Sequence, residues 1–210
     1  MTRLFSSYRF AIWLSLWLIA PLCAADTPRL LVLGDSLSAA YGIEVQQGWV
    51  SLLEQRVVAK YPHKVINASV SGETTSGGLA RLPALLEQHK PDLVIVELGG
   101  NDGLRGYPLN AMKQQLARII ETSRAAGAEV LLVGMQIPPN YGPRYTIQFR
   151  DTYTELAQQY DLPLVEFLLA EVALNAKLMQ KDGIHPTAEA QEQILNNVWP
   201  VLQPLLESRP

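Results

Sequence analysis

Leu93-Val94-Ile95-Val96-Glu97-Leu98, closed by Gly99-Gly100, is the stretch whose reading decides the fold class. An almost continuous apolar run of this length, bounded by glycine, reads as a strand covered on both faces. Similar runs lie on either side of it. Leu30-Leu31-Val32-Leu33 leads into Gly34, Val65-Ile66-Asn67-Ala68 leads into Ser71-Gly72, Val130-Leu131-Leu132-Val133 is a fourth, and Leu164-Val165 is a weak fifth. Helical patterns over residues 49–60, 79–89, 111–126, 146–160 and 188–206 separate or follow them. Pro200 and Pro204 are expected to break or end the last of these helices. Buried strands alternating with helices describe an α/β protein with a parallel sheet covered on both faces.

Bulk properties fit that architecture and narrow the function. The chain has 210 residues, 48% hydrophobic and 18% charged, which allows one well-cored domain and argues against disorder. Its formal net charge is −3 and it has no basic block, so nucleic acid is a poor partner. The first residues are read apart from the fold. Arg3 and Arg9 precede the apolar run from Ala11 to Leu22, and Ala24 and Ala25 follow. This is the layout of a secretory signal peptide over residues 1–24, with the domain over residues 25–210 and a periplasmic or secreted location. The run falls short of the roughly 20 apolar residues that span a bilayer, so no membrane span is expected in the mature chain. The only cysteine, Cys23, sits inside this segment. The mature chain therefore has no thiol for a disulfide or a metal site.

Three short strings carry the chemistry. Gly34-Asp35-Ser36-Leu37 offers a hydroxyl directly after a strand, and Ser36 is the candidate nucleophile. Asp182-Gly183-Ile184-His185 offers an imidazole with a carboxylate three residues before it. Asp182 on one ring nitrogen of His185 fixes the tautomer and leaves the other nitrogen to take a proton from Ser36. Gly99-Gly100-Asn101-Asp102 offers a side-chain amide on a glycine-rich turn. Gly72, Asn101 and the backbone N–H of Ser36 are candidate donors to the oxyanion of an acyl-transfer intermediate. In an open parallel sheet, ligands bind outside the carboxyl ends of the strands, so Ser36, Gly72 and Asn101 can meet at one rim.

Each string also has a plainer reading. A serine after a strand caps helices, Asn-Asp-Gly makes turns, and a histidine beside an aspartate occurs in exposed loops. His63 and His89 lie at element ends and read as surface residues. Asp35 reads as a turn residue or a support to the site. Asn67-Ala68-Ser69 matches a glycosylation triplet by coincidence, at the end of a strand expected to be buried. No cluster of histidine or cysteine supports a metal. From these residues alone, a serine esterase, an acyltransferase on the same scaffold and a non-catalytic periplasmic binding protein all remain open.

The strings taken in order resemble the SGNH (GDSL-type) hydrolases. Gly34-Asp35-Ser36-Leu37-Ser38 looks like the first block of that family and Ser71-Gly72-Glu73-Thr74 like the second. Gly99-Gly100-Asn101-Asp102 is similar to the third, and Asp182-Gly183-Ile184-His185-Pro186 to the last. The resemblance implies a three-layer α/β/α sandwich around a five-stranded parallel sheet with flavodoxin-like order. It implies a Ser36–His185–Asp182 triad and an oxyanion hole of the Ser36 amide, Gly72 and Asn101. It implies an enzyme without cofactor, acting on acyl thioesters, lysophospholipids and aryl or alkyl esters through an acyl-enzyme; separately, the chain is expected to act as a monomer.

Overall fold

The computed structural model describes residues 27–208, so the expected signal peptide over residues 1–24 lies outside the described residues. Five strands form one parallel sheet: β1 (Arg29–Gly34), β2 (Lys64–Asn67), β3 (Leu93–Glu97), β4 (Glu129–Val133) and β5 (Leu164–Val165). Their spatial order is β2-β1-β3-β4-β5, the flavodoxin-like order. All five residues of β3 are buried, the charged Glu97 included, as its place at the centre of the sheet requires. Its neighbour β1 is buried from Leu30 to Gly34.

Helices cover both faces. Helix α1 (Trp49–Val58) packs with α6 (Gln191–Glu207) on one side. Helices α2 (Thr75–His89), α4 (Leu109–Ala125) and α5 (Pro143–Tyr160) lie together on the other. Helix α1 buries Trp49, Val50, Leu53 and Val57, one stripe at helical spacing. The result is the expected three-layer α/β/α sandwich around a five-stranded parallel sheet.

Four local expectations are corrected. Pro200 and Pro204 do not break α6, which runs through both. An interior proline costs about 3 kcal/mol. Burial of Val198, Leu202 and Leu206 on the same helix, at about 1.5–3 kcal/mol each, is of the size needed to hold it. Helix α2 starts at Thr75, ahead of the expected residue 79. Thr74 caps it by accepting from the Gly77 N–H, and Gly77-Gly78 hides this first turn from a propensity reading. A short helix, α3 (Gly100–Leu104), replaces the plain turn expected of Asn-Asp-Gly. Finally, β2 is an edge strand and Asn67 at its end is exposed, while His63 just before it is buried. Lysine and proline around His63 suggested a surface position, yet the ring lies edge-on to Tyr61 at 6.3 Å.

The strand order fixes where a ligand can sit. Connections from β1 and β3 depart toward opposite faces, opening a crevice between their carboxyl ends. The register pairs Gly34 with Glu97 at that edge. Ser36 follows the first strand and Asn101 the second.

Candidate active site

Ser36 stands in a series of tight turns between β1 and α1. The Ala39 N–H donates to the Asp35 carbonyl at 3.0 Å and the Tyr41 N–H to the Ser36 carbonyl at 3.1 Å. Gly34 has a steric reason to be glycine. A Cβ there would lie 2.7 Å from Glu97 Oε2 and 2.8 Å from Ser38 Oγ. The Ser36 turn and the end of β3 can therefore close on one another only where no side chain intervenes.

His185 reaches Ser36 from a loop 149 residues later in the chain. Its Nε2 lies 2.9 Å from Ser36 Oγ, and its Nδ1 lies 2.7 Å from Asp182 Oδ2. A carboxylate only accepts, so the proton between Asp182 and the ring belongs to Nδ1, and Nε2 faces the hydroxyl as an acceptor. The loop is built to hold that geometry. Asp182 Oδ1 accepts the N–H groups of Ile184 at 2.9 Å and His185 at 3.0 Å. Burial opposes ionisation of Asp182, but the bonds from the His185 ring and these two N–H groups outweigh it and hold its pKa down to about 2. The Tyr41 ring packs on the His185 ring with centroids 4.4 Å apart.

The amide of Asn101 is oriented from below. Its Nδ2 donates to Asp35 Oδ2 at 3.0 Å, which occupies one of its two N–H groups. Asp35 also accepts from the Leu37 N–H at 3.0 Å. Beneath it lies Glu97, fully buried, whose Oε2 accepts the Asp35 N–H at 3.1 Å and the Ser38 hydroxyl at 2.6 Å. Burial, and then the neighbouring Asp35 charge, push the Glu97 carboxyl well above its ordinary range. Burial also raises Asp35, to about 6, against the opposing pull of the Leu37 N–H, the Asn101 amide and the His185 charge. Asp35, read from sequence as a turn or supporting residue, is thus the link between the Ser36 turn and Asn101.

Gly72 stands exposed in the turn after β2. Its carbonyl accepts from Arg105 Nη2 at 3.1 Å, which ties this turn to the end of α3 and thus to the element bearing Asn101. Asp102 secures the same region from inside. It accepts the Thr75 N–H at 2.9 Å and the Thr75 hydroxyl at 2.7 Å, joining α3 to the start of α2. The end of α3 and the segment after it are held by two tyrosines, with Tyr141 donating to the Leu104 carbonyl and Tyr145 to the Tyr107 carbonyl, both at 2.8 Å. Asn67 Nδ2 donates to the Ser38 carbonyl at 2.8 Å, so the supposed glycosylation triplet has a bracing role in the serine turn.

The structure therefore brings Ser36, His185 and Asp182 into one hydrogen-bonded chain and sets Asn101 beside it through Asp35. It joins Gly72 to the same rim through Arg105. His63 and His89 stay apart from it. Among the described residues, no group of three or more His, Cys, Asp or Glu side chains gathers as a metal site. Also among these, no helix is long and apolar enough to cross a membrane. One residue beneath the site, Glu97, lies outside the motif strings. Glu97 was legible as the one charged residue in the run of β3, a position that demands a partner.

The chain is similar to known proteins. The family model described as GDSL-like Lipase/Acylhydrolase matches residues 32–193. "Esterase TesA" of Pseudomonas aeruginosa is 53% identical over 194 residues, 92% of this chain and 96% of that protein. "Thioesterase 1/protease 1/lysophospholipase L1" of Escherichia coli is 49% identical over 183 residues, 87% of this chain and 86% of that protein. Among solved structures, the psychrotrophic esterase EstA from Pseudoalteromonas, inhibited by monoethylphosphonate, superposes with a TM-score of 0.81 at 42% identity. That match covers 85% of this chain and 98% of the other.

Proposed function

The chain belongs to the GDSL-like lipase/acylhydrolase family and is an ester hydrolase, and from that premise we propose that it works through an acyl-enzyme formed on Ser36. The observation that carries the proposal is the 2.9 Å contact between Ser36 Oγ and His185 Nε2, with Asp182 on the opposite ring nitrogen. In this reading Ser36 Oγ attacks the ester or thioester carbonyl carbon while its proton passes to His185 Nε2. The carbonyl oxygen becomes an oxyanion and is received by the N–H groups of Ser36 and Gly72 and the free N–H of Asn101. The imidazolium is stabilised by Asp182. It returns the proton to the departing alcohol or thiol, leaving the acyl group on Ser36. Water then attacks the acyl carbon, gives a proton to His185, and the acid leaves as that proton returns to Ser36 Oγ.

The substrates proposed are acyl thioesters, lysophospholipids and aryl or alkyl esters, taken broadly. The activities named for the Escherichia coli relative support the first two classes. The small-molecule site needs no nucleic acid and no cofactor, and the enzyme acts as a monomer. Export with removal of residues 1–24 places it in the periplasm or outside the cell, a reading supported by the basic start and apolar run of that segment.

One experiment tests the mechanism and the range together. The mature protein and Ser36→Ala are assayed on a thioester, a lysophospholipid and an aryl ester, and intact mass is measured after a phosphonate ester. Expected are turnover on all three classes, one phosphonyl adduct per chain on Ser36, and neither in Ser36→Ala. Adduct formation at another residue, or undiminished turnover by Ser36→Ala, overturns the acyl-enzyme. Preferential transfer to an added alcohol over water would assign an acyltransferase instead.

A further inference from the structure

The loop carrying Asp182 and His185 has little core of its own. Residues 181–184 are exposed, and Asp182 keeps 39% of its side-chain surface open. A loop like that wanders on the scale of an ångström unless something fixes it, and such a displacement between nucleophile and base is costly in rate. The Met179–Pro186 bridge and the bond from the Thr187 N–H to the Leu178 carbonyl close the loop's base on itself, and one side chain there ties it to the Ser36 turn. Gln180 Nε2 donates to two backbone carbonyls, Tyr41 at 2.8 Å and Pro186 at 2.9 Å. The first lies 139 residues away, in the turn that carries Ser36. The backbone N–H of Gln180 adds a third bond, to the His185 carbonyl at 2.7 Å.

These bonds form a continuous bridge. Ser36 offers its carbonyl to the Tyr41 N–H, and Tyr41 offers its own to Gln180. Gln180 then holds the carbonyls of His185 and of Pro186 directly after it. Along the same bridge the Tyr41 ring lies against the imidazole. The approach needs Gly42, whose φ of 75° favours glycine. A Cβ there would stand 2.3 Å from Gln180 Oε1. Both loops are thus shaped around this one amide. Neither Gln180 nor Gly42 belongs to the four motif blocks.

We propose that Gln180 is a positioning residue of the active site, setting the Ser36–His185 separation by clamping the two loops through its side-chain amide. This rests on the Ser36–His185 reading above. The role is geometric: Gln180 touches neither substrate nor reacting atoms, and it acts through backbone carbonyls on either side of them.

The test uses Gln180→Glu, which keeps shape and removes both Nε2 donors, and Gln180→Met, which removes them without adding charge. Steady-state kinetics with a para-nitrophenyl ester are combined with titration of active sites by diethyl para-nitrophenyl phosphate, alongside Ser36→Ala and thermal melts. The expected result is a fall in kcat of about tenfold to a hundredfold in both variants. KM should change by less than about twofold, with close to one titratable serine per chain after complete reaction. The phosphorylation rate should fall with kcat. Unchanged kcat in both variants overturns the proposal. So does a loss of kcat matched by a loss of titratable sites, because that is partial unfolding rather than mispositioning. A wild-type enzyme that is not titrated, or an active Ser36→Ala, would instead defeat the serine reading itself.

Discussion

Asn101 Nδ2 donates to Asp35 Oδ2 at 3.0 Å, so the amide that follows β3 is steered by the residue that follows β1 and directly precedes Ser36. This bond couples the two strands that flank the crevice, 66 residues apart in sequence. It fixes the plane of an amide whose other N–H is then aimed by covalent geometry alone. Preorganisation of that kind is what makes a donor effective at a developing charge.

Asn101→Ala removes that donor. The expected loss is about 10²–10³ in kcat, or roughly 2.7–4 kcal/mol of transition-state stabilisation. Asp35→Ala leaves the amide in place but free to turn, so its loss should be smaller. Steady-state kinetics on both variants check the order. A loss below about threefold for Asn101→Ala would remove it from the oxyanion hole.

Asp182→Asn should lower kcat by up to about 10⁴-fold while KM moves little, because the change disturbs the tautomer and not substrate contact. The aspartate is ionised down to about pH 2. Between pH 4 and 8 the wild-type rate profile should therefore carry no inflection belonging to Asp182. An acid limb that vanishes in Asp182→Asn would contradict this assignment.

Stability should fall as pH rises through the range of Asp35. The unfolded chain releases this proton near 3.9 and the native state holds it to about 6. Over that window the native state binds more protons, so stability present in full below about pH 4 declines as the pH approaches 6. A buried group shifted by this amount corresponds to about 3 kcal/mol. Glu97, raised for the same reason of burial, adds a decline of the same sign. Denaturant midpoints measured from pH 4 to 7 should drop in the wild type and drop less in Glu97→Gln, which keeps an acceptor for Ser38 and for the Asp35 N–H. Equal slopes in both proteins would count against the buried pair.

Tyr153→Phe tests the support beneath Gly99. The buried hydroxyl donates to the Leu98 carbonyl at 2.9 Å. Its removal leaves that carbonyl without this bond and should cost about 1–3 kcal/mol of stability. Chemical denaturation measures the cost. The midpoint should move without a change in the slope of the transition.

What the sequence determined by itself is what local chemistry encodes. Short, nearly continuous apolar runs closed by glycine, such as Leu93 to Leu98, read as strands buried on both faces, and helices alternating with them point to a parallel sheet. The motif strings carried the candidate residues Ser36, Gly72, Asn101, Asp182 and His185. Tertiary structure decided what depends on neighbours from distant segments. The bond from Asn101 to Asp35 and the clamp of Gln180 on Tyr41 exist only after the sheet has aligned its strands, and no local pattern encodes them. The same holds where packing overruled propensity. Helix α6 passes through Pro200 and Pro204 because burial of its apolar stripe outweighs two forfeited backbone bonds. His63 is drawn inside among residues that, read singly, belong on the surface.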